Sequence, residues 1–326
     1  MRVLLTAALT VAAMATSQFT ALAANHDIAT GLTHPWSIGF LPDGSALVTE
    51  RDSARVLSVR PGSVREVQTI AEVKPNGVQS GLLGLAVSPL YAADKTVFIY
   101  YSTETDNRIA SLKLGGKPKP IVTGLPLGQK REGGRLAFGP DGWLYATVGD
   151  GQRPELAQDP KSLGGKVLRM TKDGKPVPGA KTLVYSLGHR DPQGITWDDK
   201  GRMFVSESGE HAFDELNRVE KGKNYGWPVC EGVCGKPGFV DPVVTWKTEE
   251  ATPSDLGYYK GSLYMAANLG KRLWRIPLKD GKTGTPEALF EGTFGKLRAV
   301  EPAKDGSLWF TSTNGGGIDK IVSYTP

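Results

Sequence analysis

Six times along the chain a short apolar segment runs into a polar turn and comes straight back as an alternating strand. The six copies are IGFLPDGSALVTE (38–50), LAVSPLYAADKTVFIYYS (85–102), LAFGPDGWLYATVGD (136–150), ITWDDKGRMFVSES (195–208), LGYYKGSLYMAAN (256–268) and VEPAKDGSLWFTST (300–313). The turn glycines Gly44, Gly142, Gly201, Gly261 and Gly306, with Asp94-Lys95 at the second turn, recur at 45 to 60 residues. A repeat of that length built from strands without helices is the mark of a β-propeller blade. Each copy carries a third strand, for example ARVLSVR (54–60) and NRIASLKL (107–114), and most carry a fourth, such as KPIVTGL (119–125). The last copy stops after its third strand, DKIVSYT (319–325), and the missing element stands at the start of the chain as DIATGLT (27–33). The expected fold is therefore all-β: one six-bladed β-propeller domain over residues 25–326, closed by its N-terminal strand. Such a ring leaves no unpaired sheet edge.

Residues 1–24 read as a signal peptide: Arg2 gives the positive start, LLTAALTVAAMA the apolar stretch and ALAA the small-residue cleavage site. This predicts a secreted or periplasmic protein. The apolar stretch is too short to span a bilayer, and no other segment is a candidate. The formal net charge of +5 falls to +4 without Arg2, and the excess is too weak and scattered to point to nucleic acid. The only cysteines, Cys230 and Cys234, lie in WPVCEGVCGKPG. In an exported chain they are expected to form one short disulfide; in a reducing compartment they would be two thiols.

Adjacent strands run antiparallel, so the start of a blade's first strand and the end of its second emerge on one face. Collecting these ends brings Arg131, Arg190, Lys296 and Arg298 toward a common centre, with Gln79 and Asp150 among them. Gathered cations repel one another unless an anion holds them together, so the cluster implies an anionic ligand. The alternative is that each arginine pairs with a local carboxylate between blades.

The segments at this mouth resemble the soluble sugar dehydrogenases that depend on pyrroloquinoline quinone (PQQ), the glucose/sorbosone dehydrogenase family. The resemblance runs through the whole chain after residue 24. Its most specific pieces are HPWSIGFLPDGSALVTER (34–51), GLLGLAVSP (81–89), GGRLAFGPDGWLYATVGD (133–150), GHRDPQG (188–194) and DELNRVEKGKNYGWP (214–228). It implies a six-bladed propeller with PQQ over the channel mouth, a calcium ion polarising the quinone and a histidine as general base for sugar oxidation. By position Gln79 matches the family glutamine near the reactive centre and Asp150 the aspartate that orients the base. Arg190 matches a cofactor-binding arginine, as Lys296 and Arg298 match the basic pair of the last blade. Gly209 and Glu210 fall where main-chain carbonyls bind the catalytic calcium, and Glu215 with the Tyr225 carbonyl falls near a second calcium site. A small sugar substrate and an external electron acceptor follow from the same resemblance.

Three positions depart from the pattern. Arg131 stands where the family has its general-base histidine, and a guanidinium cannot accept a proton at neutral pH. Asp191 replaces an asparagine and puts negative charge beside a carboxylate-bearing cofactor, although it could pair with Arg131. Leu269 replaces a lysine, for which Lys271 could substitute. Among the histidines, His34 and His189 read as loop-bonding residues, and His211 is the first choice for a replacement base. Two functions lead: an exported PQQ-dependent oxidoreductase acting on an aldose or related polyol, or a non-catalytic propeller that binds a carbohydrate, protein or small anion at its mouth; a third, a lactonase- or esterase-like hydrolase with a channel metal, is poorly served by the strand-start side chains. Propellers host both, so the fold alone does not decide.

Overall fold

The computed structural model describes residues 25–326; the segment read as a signal peptide, residues 1–24, lies outside the described residues. Each blade begins at the channel and works outward. Blade 1 is Pro35–Phe40, Ala46–Glu50, Arg55–Arg60 and Ser63–Thr69. Blade 2 is Leu82–Val87, Thr96–Ser102, Asn107–Lys113 and Lys119–Leu125. Blade 3 is Gly133–Phe138, Leu144–Val148, Lys166–Met170 and Val184–Leu187. Blade 4 is Pro192–Trp197, Met203–Glu207, Phe213–Val219 and Val244–Lys247. Blade 5 is Pro253–Tyr259, Ser262–Ala267, Arg272–Lys279 and a short outer strand, Glu287–Leu289. Blade 6 takes Leu297–Pro302, Leu308–Ser312 and Asp319–Tyr324 from the end of the chain and its outer strand, Asn25–Leu32, from the beginning. Asn25 pairs with Tyr324, Ala29 with Ile321 and Leu32 with Asp319, so the ring is closed as the repeat count requires.

The sequence pattern explains this order. Second strands such as ALVTE and LYATV are buried along their whole length, because blades cover both faces, whereas the outer SVREVQT is largely exposed. The D-G turns are fixed locally: Asp43, Asp141 and Asp305 each accept the N–H two residues on, at 3.1, 3.2 and 3.0 Å. The following glycine supplies positive φ, 83° at Gly44 and 85° at Gly306. The second repeat differs from the expected bare turn. A single helical turn, Tyr91–Asp94, replaces it and ends on Lys95 in the left-handed region; a second short helix, Glu155–Gln158, lies in blade 3.

Six hydrophobic clusters sit between successive blades rather than within them. One spans the seam: Ile28, Ala29 and Leu32 of the N-terminal strand pack with Trp309 and Ile321 of blade 6 and Ile38, Val48 and Val59 of blade 1. Cys230 and Cys234 form a disulfide in the long loop after the third strand of blade 4. Among the described residues no helix is long and apolar enough to cross a membrane.

Candidate functional site

The predicted residues gather on one face of the ring but divide into two groups. Gln79, Lys296 and Arg298 line a cavity of about 310 Å³ together with His34, Arg51, Gln193, Asn268 and Thr313. Arg131 and Arg190 instead turn toward each other and share Glu210. The expected common centre of four cations is therefore corrected: two line the cavity, and two pair with one shared carboxylate.

Arg131 reaches its place through an unusual backbone. Its φ is 72°, a conformation costly for a non-glycine residue, and its N–H donates to Gln79 Oε1 at 2.5 Å while its carbonyl accepts the Gly151 N–H at 3.1 Å. A Cβ on Gly149 would overlap the Arg131 carbonyl, so the glycine of V-G-D is what lets the two loops meet. The Arg131 guanidinium contacts Glu210 Oε2 and lies 3.6 Å from Asp150 Oδ2. Arg190 donates to the same Glu210 oxygen from Nε at 2.8 Å and from its terminal nitrogen at 2.5 Å. Despite desolvation, these two guanidiniums hold the Glu210 carboxyl below the usual carboxylate range.

Asp150 is fully buried and accepts the Gln152 N–H at 2.7 Å and the Trp227 indole N–H at 2.9 Å. Burial raises its pKa. Asp191 makes no ion pair with Arg131, contrary to the sequence expectation. It accepts the Gly133 N–H at 3.1 Å and the Gln193 amide at 2.6 Å, bracing the blade 3 and blade 4 loops, and burial raises its pKa as well. Neither Leu269 nor Lys271 lines the cavity.

Lys296 and Arg298 are different. Among the described residues neither has a carboxylate within ion-pair distance. Arg298 is 9% exposed, donates to Gln193 Oε1 at 2.7 Å and leaves its buried Nε without a partner. Burial and the nearby Arg135 and Arg51 charges lower its pKa to about 9, so it keeps its charge at neutral pH. The cavity thus carries positive charge that the protein does not cancel. Arg51, Gln193 and His34 were not singled out as ligands from the sequence; Gln193 was legible in the GHRDPQG segment, whereas Arg51 and His34 needed the geometry.

Of the expected metal residues, Gly209 and Glu215 line a second void, with Glu207, Glu231, Gly188 and Arg190; Glu210 and Tyr225 do not line it. At about 10 Å³ the void has room for about one water. Glu215 accepts the Gly232 N–H at 2.6 Å and the Asn217 amide at 3.0 Å. Its pKa is pushed up to about 8 by burial and next by the Glu207 charge. Glu231 Oε1 gathers the N–H groups of Glu210, His211, Ala212 and Phe213 at 2.6 to 3.3 Å and so shapes the loop bearing Gly209 and Glu210. Tyr225 packs its ring on His189 at 4.9 Å, and His189 bridges Glu207 and Ser186. Among the described residues, no three His, Cys, Asp or Glu side chains already form a metal cage. His211 points to solvent, with its side chain 84% exposed. Glu132, next to Arg131, turns inward to Asn107 and the Gly128 N–H.

Known proteins match this sequence and fold. The sequence profile described as "Glucose / Sorbosone dehydrogenase" matches residues 32–321. The PQQ-bound aldose sugar dehydrogenase of Streptomyces coelicolor superposes with a TM-score of 0.89 at 44% identity, over 94% of this chain and 98% of that chain. Quinoprotein glucose dehydrogenase B of Acinetobacter calcoaceticus is 31% identical over 257 residues, which is 65% of this chain and 54% of that protein. Aldose sugar dehydrogenase YliI of Escherichia coli is 28% identical over 256 residues, 71% of this chain and 68% of that protein.

Proposed function

The chain belongs to the glucose/sorbosone dehydrogenase family, and on that premise we propose that it is an exported dehydrogenase that oxidises an aldose or related polyol with PQQ at the channel mouth and calcium beside it. Residues 1–24 act as the export signal and residues 25–326 as one catalytic domain. The disulfide suits an oxidising compartment.

The observation that carries this reading is the uncancelled positive charge of the mouth cavity. Its volume of about 310 Å³ suits a small cofactor. Lys296 and Arg298 are free to hold a carboxylate-bearing ring, and the unpartnered Arg298 Nε is a donor that such a ligand would satisfy. Bound PQQ would supply a two-electron oxidant that accepts hydride from the sugar. Gln79 is held by the Arg131 N–H through its Oε1, which fixes the amide at the cavity wall. Asp150, locked by Trp227 and Gln152, is set to orient a neighbouring group rather than to meet substrate. Arg131 can bind an anion or a hydroxyl oxygen but cannot take a proton. The test is to titrate PQQ with calcium into the purified protein and follow the bound-quinone absorption. Arg298→Gln is expected to weaken binding by about 1.5–3 kcal/mol, the range of a charge-assisted contact. Unchanged affinity in that variant, or no binding by the parent, would favour the non-catalytic propeller.

Calcium fits the chemistry of the neighbouring void. Glu215 and Glu207 are adjacent buried carboxyl groups; a divalent cation would favour the ionised Glu215 that burial and the Glu207 charge disfavour, and oxygen donors of this kind suit calcium. Calcium at a hundredfold excess over its dissociation constant should stabilise the fold by about 2.7 kcal/mol, read as a rise in melting temperature that a chelator reverses. Glu215→Gln should lose that increment. A melting temperature indifferent to calcium in the parent would remove calcium from the proposal.

A further inference from the structure

We propose that Trp36 is a positioning residue whose indole, in cation–π contact with both the Arg135 and Arg298 guanidiniums, holds Arg298 as a fixed carboxylate-binding plane in the mouth cavity; the ligand side of this inference rests on the function proposed above. Trp36 is the second residue of the innermost strand of blade 1 and is 1% exposed. Arg135 of blade 3 lies 4.1 Å from one ring of the indole, and Arg298 of blade 6 lies 4.4 Å from the ring as well. The stack therefore joins three blades across the channel.

Its two ends are not alike. Arg135 is immobile: it donates to the carbonyls of Gln193 at 3.1 Å, Trp36 at 3.3 Å and Ser254 at 2.9 Å, to Ser37 Oγ at 3.2 Å, and pairs with Asp255 at 3.0 Å. Arg298 has one hydrogen bond to protein, to Gln193, and no ion pair. Without the indole its long side chain would be held by that single bond, with the charges of Arg135 and Arg51 pushing it away and those of Asp191 and Asp255 drawing it back. An aromatic face attracts a cation from either side, which lets two guanidiniums share one ring where an aliphatic side chain would offer neither of them that attraction. The indole N–H is buried without a partner. The ring is thus placed by its faces and not by a hydrogen bond, as a positioning role through stacking requires. A planar guanidinium is needed at 298 for the same reason, and lysine would keep the charge but lose the stack.

Two measurements test the inference. The first is a double-mutant cycle on PQQ affinity with calcium present, using Trp36→Leu, Arg298→Lys and the pair, with Trp36→Phe as the conservative control. A cation–π contact at a buried site predicts a loss of about 3- to 30-fold for each single change. The pair should be no worse than the weaker single variant, because both remove one interaction. Trp36→Phe should recover most of the affinity. The second measurement needs no quinone: in arginine-labelled protein the Arg298 Nε–H resonance should be narrow and shifted by the ring current, and Trp36→Leu should return it to the position of a free arginine. Additive losses in the cycle, or an Arg298 resonance unchanged by Trp36→Leu, would overturn the positioning role. A parent that binds no quinone but shows the resonance shift would instead count against the proposed function and leave the stack standing.

Discussion

A chain lacking residues 25–32 is expected to lose cooperative folding altogether. That strand is the outer wall of blade 6 and pairs along Asp319–Tyr324. It also buries Ile28, Ala29 and Leu32 to 6% exposure or less in the cluster between blades 6 and 1, and the Ile28 carbonyl accepts the Gly62 N–H of blade 1 at 3.0 Å. Burying an isoleucine or leucine side chain is worth about 1.5–3 kcal/mol, so the two large residues account for about 3–6 kcal/mol before any ladder hydrogen bond is counted. Whole domains are stable by only about 5–15 kcal/mol. The deletion also bares a strand edge that can pair with another chain. Thermal unfolding followed by circular dichroism, with light scattering alongside, should show no cooperative transition and early aggregation. A deletion variant that melts sharply at the parent temperature would show that the seam is not closed by this strand.

The ring was readable because a propeller repeats its local chemistry. The D-G turns at Asp43 and Asp305 each carry their own carboxylate-to-N–H bond and their own glycine, and second strands such as LYATV are buried along their length because they are covered on both sides. Closure was readable for the same reason, since DIATGLT resembles the outer strand of the second blade. The missed helical turn at Tyr91–Asp94 has no repeat to announce it and depends on Lys95 accepting positive φ.

The site was readable only by position. Strand polarity brings Gln79, Arg131, Arg190, Lys296 and Arg298 to one face, but pairing among them is set by side-chain reach across blades. Glu210 is the clearest case. It was singled out for its main-chain carbonyl, yet its side chain takes both Arg131 and Arg190, a contact that depends on Glu231 shaping the 210–213 loop from 21 residues away. Asp191, the expected partner of Arg131, instead braces Gly133 and Gln193, because the Arg131 guanidinium is turned to Glu210 and Asp150. Arg131 and Arg190 pair locally with Glu210, whereas Lys296 and Arg298 line the cavity without a carboxylate within ion-pair distance among the described residues.

Arg131→His is expected to be the most consequential change to activity. A positioned general base contributes about 10²–10⁴-fold, and in the parent the residue at that position is always protonated. The surroundings would accept an imidazole. Histidine is among the non-glycine residues that tolerate positive φ, here 72°, and Asp150 stands 3.6 Å from the present guanidinium, already oriented by Trp227 and Gln152. Glu210 would keep Arg190 as its partner. Dye-linked turnover of aldoses and polyols, with both forms saturated in PQQ and calcium, should therefore be slow in the parent and about 10²–10⁴-fold faster in the variant. The variant should also gain a pH dependence that the parent lacks. The base works only when the imidazole is neutral, so the rate should climb as pH rises through its pKa, near 6.5 for an unperturbed histidine and higher beside the Asp150 charge. A parent that is fast and slows on Arg131→His would mean that another group takes the proton, with the exposed His211 the first to replace. If both forms bind quinone and neither turns over, the cation-lined cavity would be a binding site without catalysis, and the arginine at 131 would be part of how it came to be one.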